Sequence, residues 1–135
     1  MITIIEYLEA IRQYAKDIHY RAKGEGFYGT HLLMDRVADG LSDKIDAIKE
    51  VCYMGAAKEV PLSSEILRVA IAYIPDYKAT DSDNLWALCD LIQAALNHIG
   101  KLLPEMGPAE SNLIGGIAED LQLKLGLVAH QAKNN

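Results

Sequence analysis

Four stretches of helical apolar periodicity, joined short–long–short, constrain this chain more than any other feature. Apolar residues recurring at three- and four-residue steps form one stripe along a helix. Ile5, Leu8, Ile11, Tyr14 and Ile18 make the first stripe and predict helix A over about Thr3–Lys23, broken by Gly24 and Gly26. Met34, Val37, Leu41, Ile45, Ile48 and Cys52 make the second, at near-heptad spacing, for helix B over about Tyr28–Met54. On this reading Gly29 and Gly40 weaken helix B without ending it. Trp86, Cys89, Ile92, Leu96, Ile99 and Leu103 mark helix C, which starts near Ser82 or Asp83, is capped by Asp81, Ser82 and Asp83, and stops at Pro104. Leu113, Ile117, Leu121, Leu125 and Val128 mark helix D over about Ala109–Ala132, with Pro108 in its first turn.

The connections decide the architecture. Short A–B and C–D links make antiparallel hairpins. The B–C link is about twenty-five residues and carries a short helix around Ser63–Tyr73, where Ser63, Ser64 and Glu65 suit a helix start. Two hairpins joined by one long crossover predict an all-α, ferritin-like four-helix bundle with a long BC crossover containing a short helix.

The 135 residues suffice for a single domain, 1–135, and half of them are apolar, so the chain can bury a core. No apolar run reaches the roughly 18–20 residues needed to span a membrane. The start MITIIEYLEAIRQYAKD is amphipathic, with Glu6 and Glu9 early, and does not read as a signal peptide; a cytoplasmic location is expected. A formal net charge of −6, no basic N-terminal tail and a single lysine in HQAKNN argue against DNA as a partner. Cys52 and Cys89, both on helices, read as small buried hydrophobes, not as a disulfide framework.

Chemistry enters on helix B. His31 and Asp35 stand at i,i+4, and so do Asp46 and Glu50. With Asp35 at zero and about 100° per residue, Asp46 falls near +20°, His31 near −40° and Glu50 near +60°, while the apolar stripe centres near −115°. The candidate ligands share a face that is not the bundle's own core. Fifteen steps of a straight helix separate His31 from Asp46, roughly 22 Å. One straight helix cannot close both pairs on one small metal centre, but two antiparallel helices related by a two-fold axis can. His19, about a turn from the end of helix A, reaches the depth of His31 across the hairpin. Mixed imidazole and carboxylate donors suit iron(II), manganese or zinc. Helices C and D offer no Glu-x-x-His, and Asp90, Glu110, Glu119 and Asp120 are scattered, so a di-iron set inside the bundle is absent. Acids at i,i+4 are commonly solvated surface, as read for Asp39 and Asp43. His98 and His130 lack acidic partners in register, and Tyr20, Phe27, Tyr28 and Trp86 read as packing residues.

The segment His19–Gly55 resembles the signature of the Dps-like miniferritins. It reads His19-Tyr20, Lys23-Gly24-Glu25-Gly26-Phe27, His31 to Asp35, and Asp46 to Glu50, with the family's separations. The resemblance implies an enzyme, a ferroxidase. His19, His31 and Asp35 would come from one subunit and Asp46 and Glu50 from its dimer mate, with Glu50 bridging two iron positions. It implies Fe(II) oxidation by hydrogen peroxide or dioxygen and ferric mineral stored in a shell of twelve subunits. Tyr20 stands where the family usually has tryptophan, the frequent lysine-rich tail is missing, and Gly115, Gly116 and Gly126 weaken helix D. The alternative is a helical oligomer that binds zinc or another divalent metal without turnover.

Overall fold

The predicted stripes meet in one core. Ile5, Leu8, Ile11, Tyr14 and Ile18 are fully buried, and Met34, Val37, Leu41, Ile45, Ile48 and Cys52 are buried against them. Each fully buried Ile or Leu side chain contributes about 1.5–3 kcal/mol of transfer free energy, so these stripes dominate the fold. The computed structural model describes residues 1–134. Its helices are α1 (Ile2–Arg21), α2 (Phe27–Ala38), α3 (Leu41–Ile48), α4 (Ser63–Tyr73), α5 (Asp81–Leu102) and α6 (Pro108–Lys133). A π-helical turn, Lys49–Met54, extends α3, and a 3₁₀ turn, Leu103–Glu105, follows α5.

The architecture is an all-α, ferritin-like four-helix bundle. Helix α1, the bent α2–α3 unit, α5 and α6 are its four members, and α4 lies in the long crossover against α1. Among the described residues no helix is long and apolar enough to cross a membrane.

Helix B departs from the expectation of one continuous rod. It breaks at Asp39–Gly40, so Gly40 does end a helix. Asp39 (φ −61°, ψ 135°) and Gly40 (φ 78°, ψ −9°) have the central torsions of a type II turn. The second of these positions is left-handed, where a side chain would clash with its own carbonyl, and glycine is the residue that sits there without strain. The turn still keeps Val37, Ala38 and Leu41 inside. The buried stripe therefore survives a break that periodicity alone cannot reveal.

The start of α5 also differs. Thr80 is its N-cap, with Oγ1 accepting from Asp83 N at 3.1 Å. Asp81 turns inward and accepts from Lys23 N at 2.8 Å, tying the α1–α2 hairpin to α5. Tyr14 anchors the same region from α1: its buried hydroxyl donates to Asn84 Oδ1 at 2.6 Å, and Asn84 in turn holds the backbone of Lys78 and Thr80. Burial pushes the Tyr14 phenol well above its usual value, so it stays a donor. The core side of α5 includes Cys89, Ile92 and Ile99 of the expected stripe but extends through Leu85, Leu88 and Ala95 instead of Trp86, which is 41% exposed.

Candidate metal centre

The α1–α2 hairpin brings two imidazoles face to face. His19 lies in the last turn of α1 and His31 in the early turns of α2. Their ring centroids are 3.8 Å apart at an interplanar angle of 14°. Each ring is fastened by the other residue's backbone: His19 Nδ1 lies 2.7 Å from the His31 carbonyl oxygen, and His31 Nδ1 lies 2.7 Å from the His19 carbonyl oxygen. A carbonyl can only accept, so both Nδ1 atoms carry the proton. In the neutral rings both Nε2 atoms therefore keep a free lone pair, the arrangement that a metal-ligating histidine needs. The carbonyl of His19 is free for this because Lys23 N, which would cap it in a longer helix, goes to Asp81 instead.

Asp35 stands one turn beyond His31 on the exposed side of α2. Its Oδ1 accepts from Lys16 Nζ at 2.8 Å. That bond, helped by the nearby histidines, holds the Asp35 carboxyl below its ordinary range and lifts the Lys16 ammonium above its own. Asp35 is thus an anion at neutral pH, the ligating form, with one oxygen already engaged. A surface groove of about 280 Å³ beside it is lined by Arg12, Lys16, Asp35, Asp39 and Asp43. Lys16 was not legible as a site residue, although it precedes His19 by three residues and so shares its face of α1.

Aromatic rings flank the pair. Tyr20 stands edge-on to His19 at 5.0 Å, and Tyr28 lies nearly parallel to His31 at 6.3 Å. Tyr20, Phe27 and Tyr28 are not packed in the core as expected; they are 73%, 48% and 62% exposed. They are carried by the end of the α1–α2 hairpin.

Asp46 is exposed on α3, and Glu50 is exposed on the π-helical turn. In that turn Gly55 N donates to Glu50 O at 2.7 Å, a five-residue step. A Cβ on Gly55 would sit 2.8 Å from the Val51 carbonyl oxygen, so the turn needs glycine there. Such turns recur where helices carry functional residues. Among the described residues, no group of three or more His, Cys, Asp or Glu side chains comes together to hold a metal. The chain joins His19 to His31 and does not bring Asp46 and Glu50 to them.

The other candidates are accounted for. His98 packs 6.1 Å from Tyr7, and its burial lowers its basicity. His130 is exposed on α6. Asp39 and Asp43 are exposed, as read. Cys52 and Cys89 are buried free thiols; burial raises both, that of Cys89 to about 11, so neither is an activated nucleophile. Compared with models of protein families and with curated proteins, the chain matches none.

Proposed function

We propose that the chain is a subunit of a Dps-like miniferritin. In this reading it is an intersubunit di-iron ferroxidase that oxidises Fe(II) with hydrogen peroxide or dioxygen and stores the ferric product as mineral in an oligomeric shell. The observation that carries the reading is the reciprocal fastening of His19 and His31, which leaves two Nε2 lone pairs unengaged near the Asp35 anion.

Iron is the substrate here. His19, His31 and Asp35 of one chain would face Asp46 and Glu50 of its two-fold mate, and Glu50 would bridge two Fe(II) ions. The anionic carboxylate donors favour the ferric state, while imidazole also suits Fe(II). Each of two Fe(II) ions gives one electron to hydrogen peroxide; its O–O bond breaks, and two protons complete two waters. Pairing the electrons avoids release of hydroxyl radical. Lys16 yields Asp35 Oδ1 to the metal, so the groove beside it exchanges one cation for another. Exposed Leu32, Val51 and Met54 on the same helical unit, and Leu67 and Ile71 on α4, are the apolar surface that a partner subunit would cover. The proposed assembly is a dimer building a homododecamer.

Anaerobic Fe(II) titration followed by peroxide, read as near-ultraviolet ferric absorbance, tests the chemistry. Two irons per site with oxidation above the protein-free blank supports it. Binding of zinc, manganese or iron without oxidation selects the passive metal-binding oligomer. Sedimentation of metal-free protein near twelve subunits supports storage, whereas a persistent dimer removes the shell.

A further inference from the structure

We infer that Lys124, on α6, is a positioning residue for the candidate metal centre: it holds the Asp39–Gly40 turn that sets the angle between α2, carrying His31 and Asp35, and the α3 unit, carrying Asp46 and Glu50. The inference rests on the reading above, in which both half-sites serve one kind of shared centre.

Lys124 occupies a core position. Ile117, Leu121, Lys124 and Val128 follow one buried stripe of α6, and the lysine is 5% exposed. A buried ammonium is costly unless it is paired and hydrogen-bonded. Its partners all belong to the break in helix B or face it. Nζ donates to the Asp39 carbonyl at 3.3 Å and lies 2.9 Å from Asp120 Oδ2, an ion pair. Asp120 Oδ2 also lies 3.4 Å from Lys44 Nζ. Asp120 Oδ2 thus pairs with both ammoniums.

The Asp39 carbonyl is free only because the helix breaks. In a continuous helix it would accept from the amide four residues on. Here α2 closes with Asp39 N on Asp35 O, and α3 opens with Lys44 N on Gly40 O. Lys124 supplies the missing donor and places a cation at the carbonyl end of α2, where the helix dipole favours one. Through Asp120 and Lys44 the same cluster holds the first turn of α3. One residue of α6 thus clamps both sides of the turn, 85 positions away in sequence.

The leverage is large. Ten residues of helix from Gly40 to Glu50 span about 15 Å, so a 5° change at the turn moves Glu50 by about 1.3 Å. Metal–ligand distances tolerate about 0.2 Å. Loss of the clamp therefore reaches the centre without touching any ligand.

The test uses the whole protein with Co(II) alone, anaerobically, as a spectroscopic probe. In Lys124→Met the stem stays and the ammonium goes. The expected result is an assembled protein whose Co(II) affinity falls about tenfold, the scale of outer-sphere losses, with an altered visible spectrum. Lys124→Arg, which keeps a donor, recovers part of the affinity. Lys124→Met that binds Co(II) within about twofold of wild type with the same spectrum overturns the inference, whatever its stability. If Lys124→Met does not fold, Asp120→Asn is read in the same way: a loss of affinity with retained assembly supports the clamp, and unchanged affinity and spectrum overturn it. Wild-type protein that takes up no Co(II) overturns the ferroxidase reading and this inference together, which separates that failure from the failure of the clamp alone.

Discussion

Replacing Gly40 by alanine separates the kinked helix from a straight one by the sign of a stability change. Gly40 has φ 78°, and an added Cβ would meet only Lys44 Nζ, at 3.8 Å. The cost is therefore torsional and not steric. A left-handed alanine costs about 1–2 kcal/mol. Restricting the unfolded chain returns about 0.4–1 kcal/mol. Gly40→Ala should thus destabilise the protein by about 1 kcal/mol. In an uninterrupted helix the same change would stabilise by about 0.8–1 kcal/mol. Gly126→Ala is the internal control: Gly126 lies within α6, with nothing within 4 Å of an added Cβ, and should stabilise by about that amount. Thermal unfolding of metal-free protein at one fixed concentration reads both. For a chain of 135 residues the unfolding entropy is about 0.28 kcal/mol/K, so each kcal/mol moves Tm by about 3.5 °C. Gly40→Ala should fall by about that much and Gly126→Ala should rise. A Gly40→Ala protein that melts higher, alongside Gly126→Ala, would refute the turn and restore a continuous helix B.

Three further outcomes are expected. His31→Ala and Glu50→Ala homomers should each lose most Fe(II) oxidation, while a purified mixed dimer of the two regains one of its two sites, because one centre takes both defects and the other none; full loss in an assembled mixed dimer would sink the shared arrangement. Lys16→Met should return the Asp35 carboxyl toward its ordinary pKa in an NMR titration. Because the folded-state value is depressed, the pair's stabilisation is present above the unfolded carboxyl pKa and disappears as pH falls through the folded one. The two proteins should therefore differ near neutrality and converge in acid; an Asp35 titration unmoved by the substitution would rule out Lys16 as the cause. With net charge −6, the protein should form no tight complex with duplex DNA in an anisotropy titration at about 150 mM salt, and a sub-micromolar complex there would reverse that expectation.

Local rules carried most of the fold. Apolar periodicity located the helices; α4 matches its expected bounds, and α6 starts at Pro108 as a first-turn residue. The i,i+4 spacing and the short hairpin placed His31 and Asp35 one turn apart on α2 and His19 at the level of His31, because a helix and a tight turn leave little freedom over such distances. Three features were not legible in the apolar pattern. The Asp39–Gly40 turn keeps the same buried stripe that a straight helix would, so periodicity cannot distinguish them; its carbonyl is satisfied by Lys124 from another helix. The π-helical turn under Glu50 depends on the close approach of Gly55 to Val51, which a glycine in sequence does not announce. Tautomers were also decided in three dimensions: the residue pattern named two histidines, but only the folded hairpin aims each Nδ1–H at the other's carbonyl and leaves Nε2 bare. Periodicity is a property of one helix, whereas a kink, a buried charge and a proton's position are set by whichever neighbour completes the hydrogen bond.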